Sequence, residues 1–134
     1  MEALCGRPIW HTIPQVEPIG PRALLDLLLV APCTGNTLGK LACGITDTPV
    51  TMAVKAHLRN LRPVVLAVST NDGLGASARN IGTLLNCRNF YFVPFAQDDP
   101  LHKEASLVAD LSRTQETLLA ALQGRQLQPL LLQK

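Results

Sequence analysis

Two short runs of small polar residues interrupt the apolar stretches of the sequence. "CTGNT", residues 33–37, follows the apolar run 27–32, and "STND", residues 69–72, follows a second apolar run, 63–68. Hydroxyl and amide side chains can bind an anion or the polar edge of a heterocycle. A turn that leads into a helix adds unpaired backbone N–H groups and the positive end of the helix dipole. The two runs are therefore the first candidates for a binding site.

The same residue types also have a purely structural use. Thr34 and Asn36 can cap a helix and Gly35 permits a tight turn, and for one such turn alone this explanation is the stronger one. The second polar turn shifts the balance, since two turns at one edge of a sheet form two walls of a pocket. Neither GxGxxG nor GxxxxGK[ST] occurs, so the sequence carries no dinucleotide or triphosphate fingerprint.

The apolar runs before both turns predict buried strands of a parallel sheet. Each run is continuously apolar rather than alternating, as is typical of a strand covered on both faces. Further strands are predicted at Ile9–Ile13, which alternates apolar and polar residues, and in "NFYFVPF", residues 89–95. The prolines of segment 14–21 predict an extended connection between the first two strands.

Helical periodicity follows each polar turn. A helix is predicted from Thr37 onward, with Thr34 or Asn36 as its cap. Thr48 and Pro49 predict the start of a second helix, since proline is favoured at the first helical position.

The remaining pattern completes an alternation of strands and helices. Ser77 is expected to cap a third helix, and a long amphipathic helix is predicted from Leu107 to Gly124, followed by an apolar tail, 125–134. The alternation predicts one α/β domain over residues 1–134, a three-layer, doubly wound parallel sheet with ligands at the carboxyl ends of its strands.

Composition excludes several classes of function. Hydrophobic residues make up 47% of the chain, charged residues 16%, and the formal net charge is +2 with no basic run, so no nucleic acid or membrane partner is predicted. No apolar run approaches the roughly 20 residues of a membrane span, which favours a cytoplasmic location. The four cysteines lack CxxC spacing, so no metal site or disulfide framework is expected.

The first turn carries a family resemblance. "APCTGNTLGKLACGITD" resembles the "PASANT" segment of the homo-oligomeric flavin-containing Cys decarboxylase superfamily, with Pro32, Asn36 and Thr37 in the matching places. The resemblance implies a flavoprotein-type, Rossmann-like fold, an FMN cofactor that this turn contacts, an active-site Asn36, and a homo-oligomer. The second turn lies where those decarboxylases carry "PxMNxxMW", of which only Asn71 is retained, and this counts against cysteine decarboxylation.

A longer series of motifs resembles the family of dipicolinate synthase B subunits. In order along the chain they are "EPIGP", "APCTGNTLGKLA", "TDTPVTMAVKAHLRNLRPVVLAVSTNDGLG", "NFYFVPFAQDDP" and "QLQP". This resemblance implies that the chain is a subunit of an oxidoreductase that acts with an A subunit carrying NAD(P). The reaction implied is oxidation of a dihydrodipicolinate-type precursor to dipicolinate, a small dicarboxylate, in the mother cell of a sporulating bacterium.

Members of that family begin with segments that have no counterpart before "EALCGRPIW". These segments are a strand, a glycine–serine phosphate loop and a further strand–helix unit. The resemblance therefore implies that the chain lacks its first strand–helix units. We expect it to bind FMN weakly or not at all when alone, and to be poorly stable.

The turns and the resemblance together nominate the site residues. Asn36 and Asn71 are the catalytic candidates. The cofactor-binding candidates are Pro32, Cys33, Thr34, Gly35, Asn36, Thr37, Ser69 and Thr70. Arg79 is a substrate candidate because guanidinium suits a carboxylate, and Asp98 is a second one, with a solvated helix residue and a plain acidic loop as the alternatives. His57 is expected at the surface and Cys33 as a small packed thiol.

Two other functions stay open on the sequence alone. One is a non-catalytic partner that stabilises the A subunit through its apolar helices and tail. The other is an FMN-dependent relative of the decarboxylase or prenyltransferase type. Flavin content separates the first of these from the catalytic functions.

Overall fold

The chain alternates between helices and strands over residues 2–133, the part that the structure, a computed structural model, describes. The helices are α1 (Glu2–Cys5), α2 (Ile13–Val16), α3 (Gly35–Cys43), α4 (Pro49–Leu58), α5 (Ala78–Leu85) and α6 (Thr114–Leu122). The strands are β1 (Leu28–Cys33), β2 (Val64–Thr70), β3 (Phe90–Phe92), β4 (Phe95–Ala96) and β5 (Leu107–Ala109). None of these helices is long and apolar enough to cross a membrane.

Strand β2 lies in the middle of the sheet. Its first five residues are at most 1% exposed, so both of its faces are covered, as its continuous apolar sequence predicted. β1 and β3 both run parallel to β2, with Leu28 and Phe90 each in register with Val64. Helices α3, α4 and α6 all contact β2. The Rossmann-like fold with a mostly parallel core is thus confirmed.

The sheet also has an antiparallel part that the sequence did not indicate. β5 pairs antiparallel with the end of β2, at Ser69 and Thr70, and with β4 on its other side. The helix predicted from residue 107 was therefore wrong over its first part, and α6 begins only at Thr114. Leu107 and Ala109 are buried while Val108 is half-buried, which is the period of a strand.

The N-terminal segment also differs from the prediction. The strand predicted at Ile9–Ile13 is absent from the described residues, and Ile13 instead begins α2, which a 3₁₀ turn at Glu17–Ile19 follows. Segment 14–21 is therefore largely helical turn rather than extended. Pro14 and Pro18 lie at the starts of these two turns, where their missing N–H is tolerated. Burial explains the outcome, because Val16 and Ile19 pack against α4.

The aromatic strand is split into β3 and β4 at Pro94, which has no N–H for a sheet ladder. Residues after α6 complete this side of the sheet. The Gln126 side chain accepts a hydrogen bond from the Phe92 N–H (2.8 Å) and donates one to the Phe92 carbonyl (2.6 Å). Leu131 then forms a bridge beside Phe95. The predicted apolar tail thus packs on its own sheet up to residue 133, and Lys134 lies outside the described residues.

Candidate functional site

The first polar turn forms at the end of β1. Thr34 is the N-cap of α3, and its Oγ1 accepts a hydrogen bond from the Thr37 N–H at 3.3 Å. The side chain of Asn36 is consequently not needed as a cap and lies exposed in the first turn of the helix. The sequence left the cap open between these two residues, and the structure assigns it to Thr34.

The second polar turn forms at the end of β2 and is built around Asp72. Thr70 Oγ1 donates to Asp72 Oδ1 at 2.6 Å, and Ser77 Oγ donates to the same oxygen at 2.8 Å. These two hydrogen bonds, the one from Thr70 foremost, lower the pKa of the Asp72 carboxyl below its ordinary value because they stabilise the charged form. Ser77 therefore occupies the N-cap position of α5 without capping it through its side chain, contrary to the prediction.

The two turns touch at Gly35. A Cβ atom on Gly35 would lie 2.7 Å from Thr70 Oγ1, 3.0 Å from Asp72 Oδ1 and 3.0 Å from Ser77 Oγ. Such distances leave no room for a side chain, so glycine is required here by close approach. We call the three polar side chains behind Gly35, those of Thr70, Asp72 and Ser77, the Asp72 cluster.

The two turns enclose one cavity of about 410 Å³, which we call the polar cleft. Its lining consists of hydroxyl, amide and backbone groups with one carboxylate, and among the described residues it includes no Lys, Arg or His. The lining residues are Thr34, Gly35, Asn36, Ser69, Thr70, Asn71 and Asp72. Six of these were nominated from the sequence. Asp72 was missed as a site residue. The hydroxyl side chains at positions 70 and 77 could have indicated it, because a carboxylate between them can accept a hydrogen bond from each.

The other nominated cofactor-binding residues lie elsewhere. Pro32 and Thr37 line a separate, mostly apolar cavity of about 300 Å³ beside β1. Cys33 is fully buried in the core, and burial raises the pKa of its thiol to about 12. The Cys33 side chain is thus a packed, protonated thiol that does not line the polar cleft.

The two substrate candidates differ in their placement. Arg79 lines a cavity of about 570 Å³ that shares Gly35 and Asn36 with the polar cleft and also includes Lys40. Asp98 lies on an exposed loop and does not line the polar cleft. A hydrogen bond from Ser106 lowers the pKa of the Asp98 carboxyl, which is consistent with a loop-stabilising contact.

His57 is not at the surface, contrary to the prediction. Its side chain is 0% exposed, and its Nε2–H donates to the Pro63 carbonyl at 3.0 Å. The same carbonyl accepts from the Leu28 N–H, so His57 ties α4 to the start of β1. Its Nδ1 is buried without a hydrogen-bond partner, and desolvation lowers the pKa of the imidazole. No cluster of His, Cys, Asp and Glu in residues 2–133 is arranged to hold a metal ion.

Comparison with known proteins assigns the fold to a family. The family model described as "Flavoprotein" matches residues 1–111. The chain belongs to the flavoprotein family. It is 46% identical to the dipicolinate synthase B subunit of Bacillus subtilis over 133 residues, which cover 99% of this chain and 66% of that protein. The predicted resemblance is thereby confirmed.

Solved structures agree with this assignment. The crystal structure of the dipicolinate synthase B subunit from Bacillus halodurans superimposes with a TM-score of 0.94 at 47% identity, over 96% of this chain and 66% of that chain. The FMN-dependent cysteine decarboxylase SpaF matches with a TM-score of 0.65 at 24% identity, over 90% of this chain and 69% of its own, which is a likeness of fold alone. The chain therefore spans 66% of the length of both dipicolinate synthase relatives.

Proposed function

We propose that the polar cleft binds the ring edge of FMN, and that the chain acts as a subunit of an oxidoreductase that forms dipicolinate. The observation that carries this proposal is the meeting of two strand-end turns in one cavity, with the N-terminus of α3 at its wall. Ligands of doubly wound sheets bind at this edge. Membership of the flavoprotein family and the similarity to the dipicolinate synthase B subunit support the choice of ligand and reaction.

The groups in the cleft suit one part of FMN better than the other. The flavin ring presents uncharged carbonyl and N–H groups at its edge, which hydroxyl, amide and backbone groups can match. The phosphate is an anion, and the lining supplies no cationic side chain to neutralise it while Asp72 adds a negative charge. The residues present therefore fit the ring edge, and we expect weak binding of FMN because the phosphate gains little from this cleft.

The proposed roles follow from the positions of the side chains. Asn36 and Asn71 bring one amide from each turn, so together they can orient a planar ring between the two walls. The Asp72 cluster holds the second turn against Gly35 and thereby fixes the distance between the walls. FMN, when bound, would supply the two-electron redox chemistry, and the protein would supply binding and orientation.

The substrate of the proposed reaction is a ring dicarboxylate, and Arg79 is its proposed partner. Arg79 lies in the cavity that adjoins the polar cleft at Gly35 and Asn36, and it makes no salt bridge within residues 2–133. Lys40 lines the same cavity but is paired with Asp47 at 2.9 Å. A guanidinium without a partner next to the ring site is well placed to bind a carboxylate.

Oxidation of a dihydro ring also needs a final electron acceptor. We assign this role to NAD(P) on an A subunit, with which the chain would act as part of a larger assembly. The proposed setting is the cytoplasm of the sporulating mother cell.

The test measures flavin binding and product formation on the same variants. Asn36→Ala should weaken FMN binding by about fivefold to tenfold, because it removes one hydrogen-bonding side chain. Quenching of flavin fluorescence measures this binding. Arg79→Gln should instead raise the KM for the dihydro substrate in an assay reconstituted with the A subunit. The matched control is Asn86→Ala, which removes an exposed amide at the far end of α5.

Two results would contradict the proposal. Absence of flavin binding by the chain, with and without the A subunit, would exclude the flavin role. Full dipicolinate formation by Asn36→Ala with no flavin present would instead identify the chain as a non-catalytic partner of the A subunit.

A further inference from the structure

A second cavity lies at the opposite end of α3 from the polar cleft. It has a volume of about 390 Å³ and is enclosed by the C-terminal end of α3, one face of α4 and the first residue of β3. It shares no lining residue with the polar cleft. We call it the α3–α4 pocket.

The floor of the α3–α4 pocket is apolar and is held in shape by the core. Val54 is 1% exposed, and Leu41, Leu58 and Phe90 pack against the same core cluster. Ile45, which is 46% exposed, lies at the mouth. The floor therefore offers preformed apolar surface, which is the usual basis of small-ligand binding.

The rim of the pocket carries two positive charges. Lys55 lies on α4 and Arg59, four residues later, is the C-cap of that helix; both are exposed and line the pocket. Neither makes a salt bridge within residues 2–133, and no lining residue is acidic. The Thr51 hydroxyl, which also lines the pocket, is already bonded to Thr48. The polar groups at the rim of this pocket are thus suited to an anion.

We propose that the α3–α4 pocket binds an aliphatic monocarboxylate, with its hydrocarbon chain on the apolar floor and its carboxylate between Lys55 and Arg59. The charge pattern selects this class, because a neutral hydrocarbon leaves both cations unused and a cation is repelled by them. A compact inorganic anion is also disfavoured, since it fills none of the apolar floor. This ligand is independent of the proposed flavin site and of its reaction.

Octanoate is the probe for this site, and the test uses isothermal titration of the full chain. Its affinity should exceed that of hexanoate by about fourfold for each additional methylene that the pocket buries. Heptanol and heptylammonium, which have the same hydrocarbon chain as octanoate without the carboxylate, should bind more weakly. Lys55→Gln and Arg59→Gln should each weaken octanoate binding by about threefold to fivefold. Arg22→Gln, an exposed arginine away from the pocket, is the matched control and should have no effect.

Three results would overturn the proposal. The first is equal affinity for heptanol and octanoate, which would show that the cations play no part. The second is unchanged octanoate binding in both rim variants. The third is a concentration-dependent dimer, seen by analytical ultracentrifugation, that Ile45→Glu abolishes in a chain without measurable octanoate binding. That outcome would assign the pocket to a second copy of the chain.

Discussion

The two ends of α3 are surrounded by opposite kinds of chemistry. At its N-terminal end, Thr34 and Asn36 line a cleft of hydroxyl and amide groups that also includes the carboxylate of Asp72, which accepts hydrogen bonds from Thr70 and Ser77. At its C-terminal end, Leu41 and Gly44 line an apolar pocket with two cations at its rim. Leu38, buried between them, fixes the helix on the core. The two ligands proposed above are therefore assigned to surfaces of different chemistry at the two ends of one helix.

The largest effect should come from Gly35→Ala, which changes only the N-terminal end of α3, at the polar cleft. The added Cβ would overlap the Asp72 cluster, so we expect a loss of about 1–3 kcal/mol in the free energy of unfolding and a loss of flavin binding. Urea denaturation and flavin fluorescence measure the two effects. Octanoate binding at the other end of α3 should be unchanged in the folded variant.

Gly82→Ala is the control for this substitution. Gly82 lies in α5, and a Cβ there meets no atom within 4 Å, so alanine should stabilise the chain by about 0.5–1 kcal/mol. Similar effects of the two substitutions would show that the turns are not in close contact.

A smaller effect on the free energy of unfolding should appear at mildly acid pH, and the residue responsible lies at the other end of the sheet. His57 is buried at the strand starts, where desolvation and, to a smaller extent, the charge of Arg62 lower the pKa of its imidazole, against the opposing influence of the hydrogen bond to the Pro63 carbonyl and of Asp26. The unfolded chain takes up a proton as the pH falls through about 6.5, while the folded chain does not. The free energy of unfolding should therefore fall below that pH, by up to about 1.4 kcal/mol per pH unit.

Urea denaturation at about pH 7.5 and about pH 5.5 checks this prediction on either side of the unfolded pKa. His57→Gln, which keeps a donor for the Pro63 carbonyl, should flatten the dependence. His11→Gln changes an exposed histidine and is the matched control. Asp72 in the polar cleft should not contribute to this fall in the free energy of unfolding. Because the pKa of its carboxyl is lowered, the stability that Asp72 contributes is lost only at more acid pH. Equal slopes in all three proteins would exclude His57 as the group responsible.

The smallest effect should be at Cys33, where the first turn meets the core. Cys5, Cys43 and Cys87 are exposed, whereas Cys33 is buried with a pKa of about 12. The folded chain should therefore react with a thiol reagent at three cysteines and the unfolded chain at all four. Mass spectrometry of the labelled peptides distinguishes them. Labelling of Cys33 in the folded chain would mean that its thiol opens into the polar cleft.

Local signals in the sequence predicted the parts of the fold on which both ends of α3 depend. Thr48 and Pro49 do cap and begin α4, and the apolar run at Val64–Val68 is the buried centre of β2. The two polar turns each follow a strand, and neighbouring parallel strands end at the same edge of a sheet, so the two turns meet there. The functional roles of the turn residues stay predictions.

The remaining features depend on contacts that are distant in sequence. Leu107–Ala109 is a strand because Ser69 and Thr70 are available for pairing. The sequence of Leu107–Ala109 itself does not indicate this partner. The surface position predicted for His57 was wrong because it followed from the charges of Lys55 and Arg59. The helical period turns residue 57 away from both of them, towards the buried face of α4. Asp72 is different, because its two donors, Thr70 and Ser77, are close to it in the chain and could have indicated it.

The paired hydrogen bonds of Gln126 have a consequence for how the molecule behaves in a crowded solution. Within residues 2–133, β3 is paired with β2 along one side only, so its other side would present free N–H and C=O groups to any extended chain. The Gln126 amide occupies the N–H and the C=O of Phe92 at once, in the way that a neighbouring strand would. A single side chain thereby blocks the unpaired border of β3 at Phe92 against the addition of another strand.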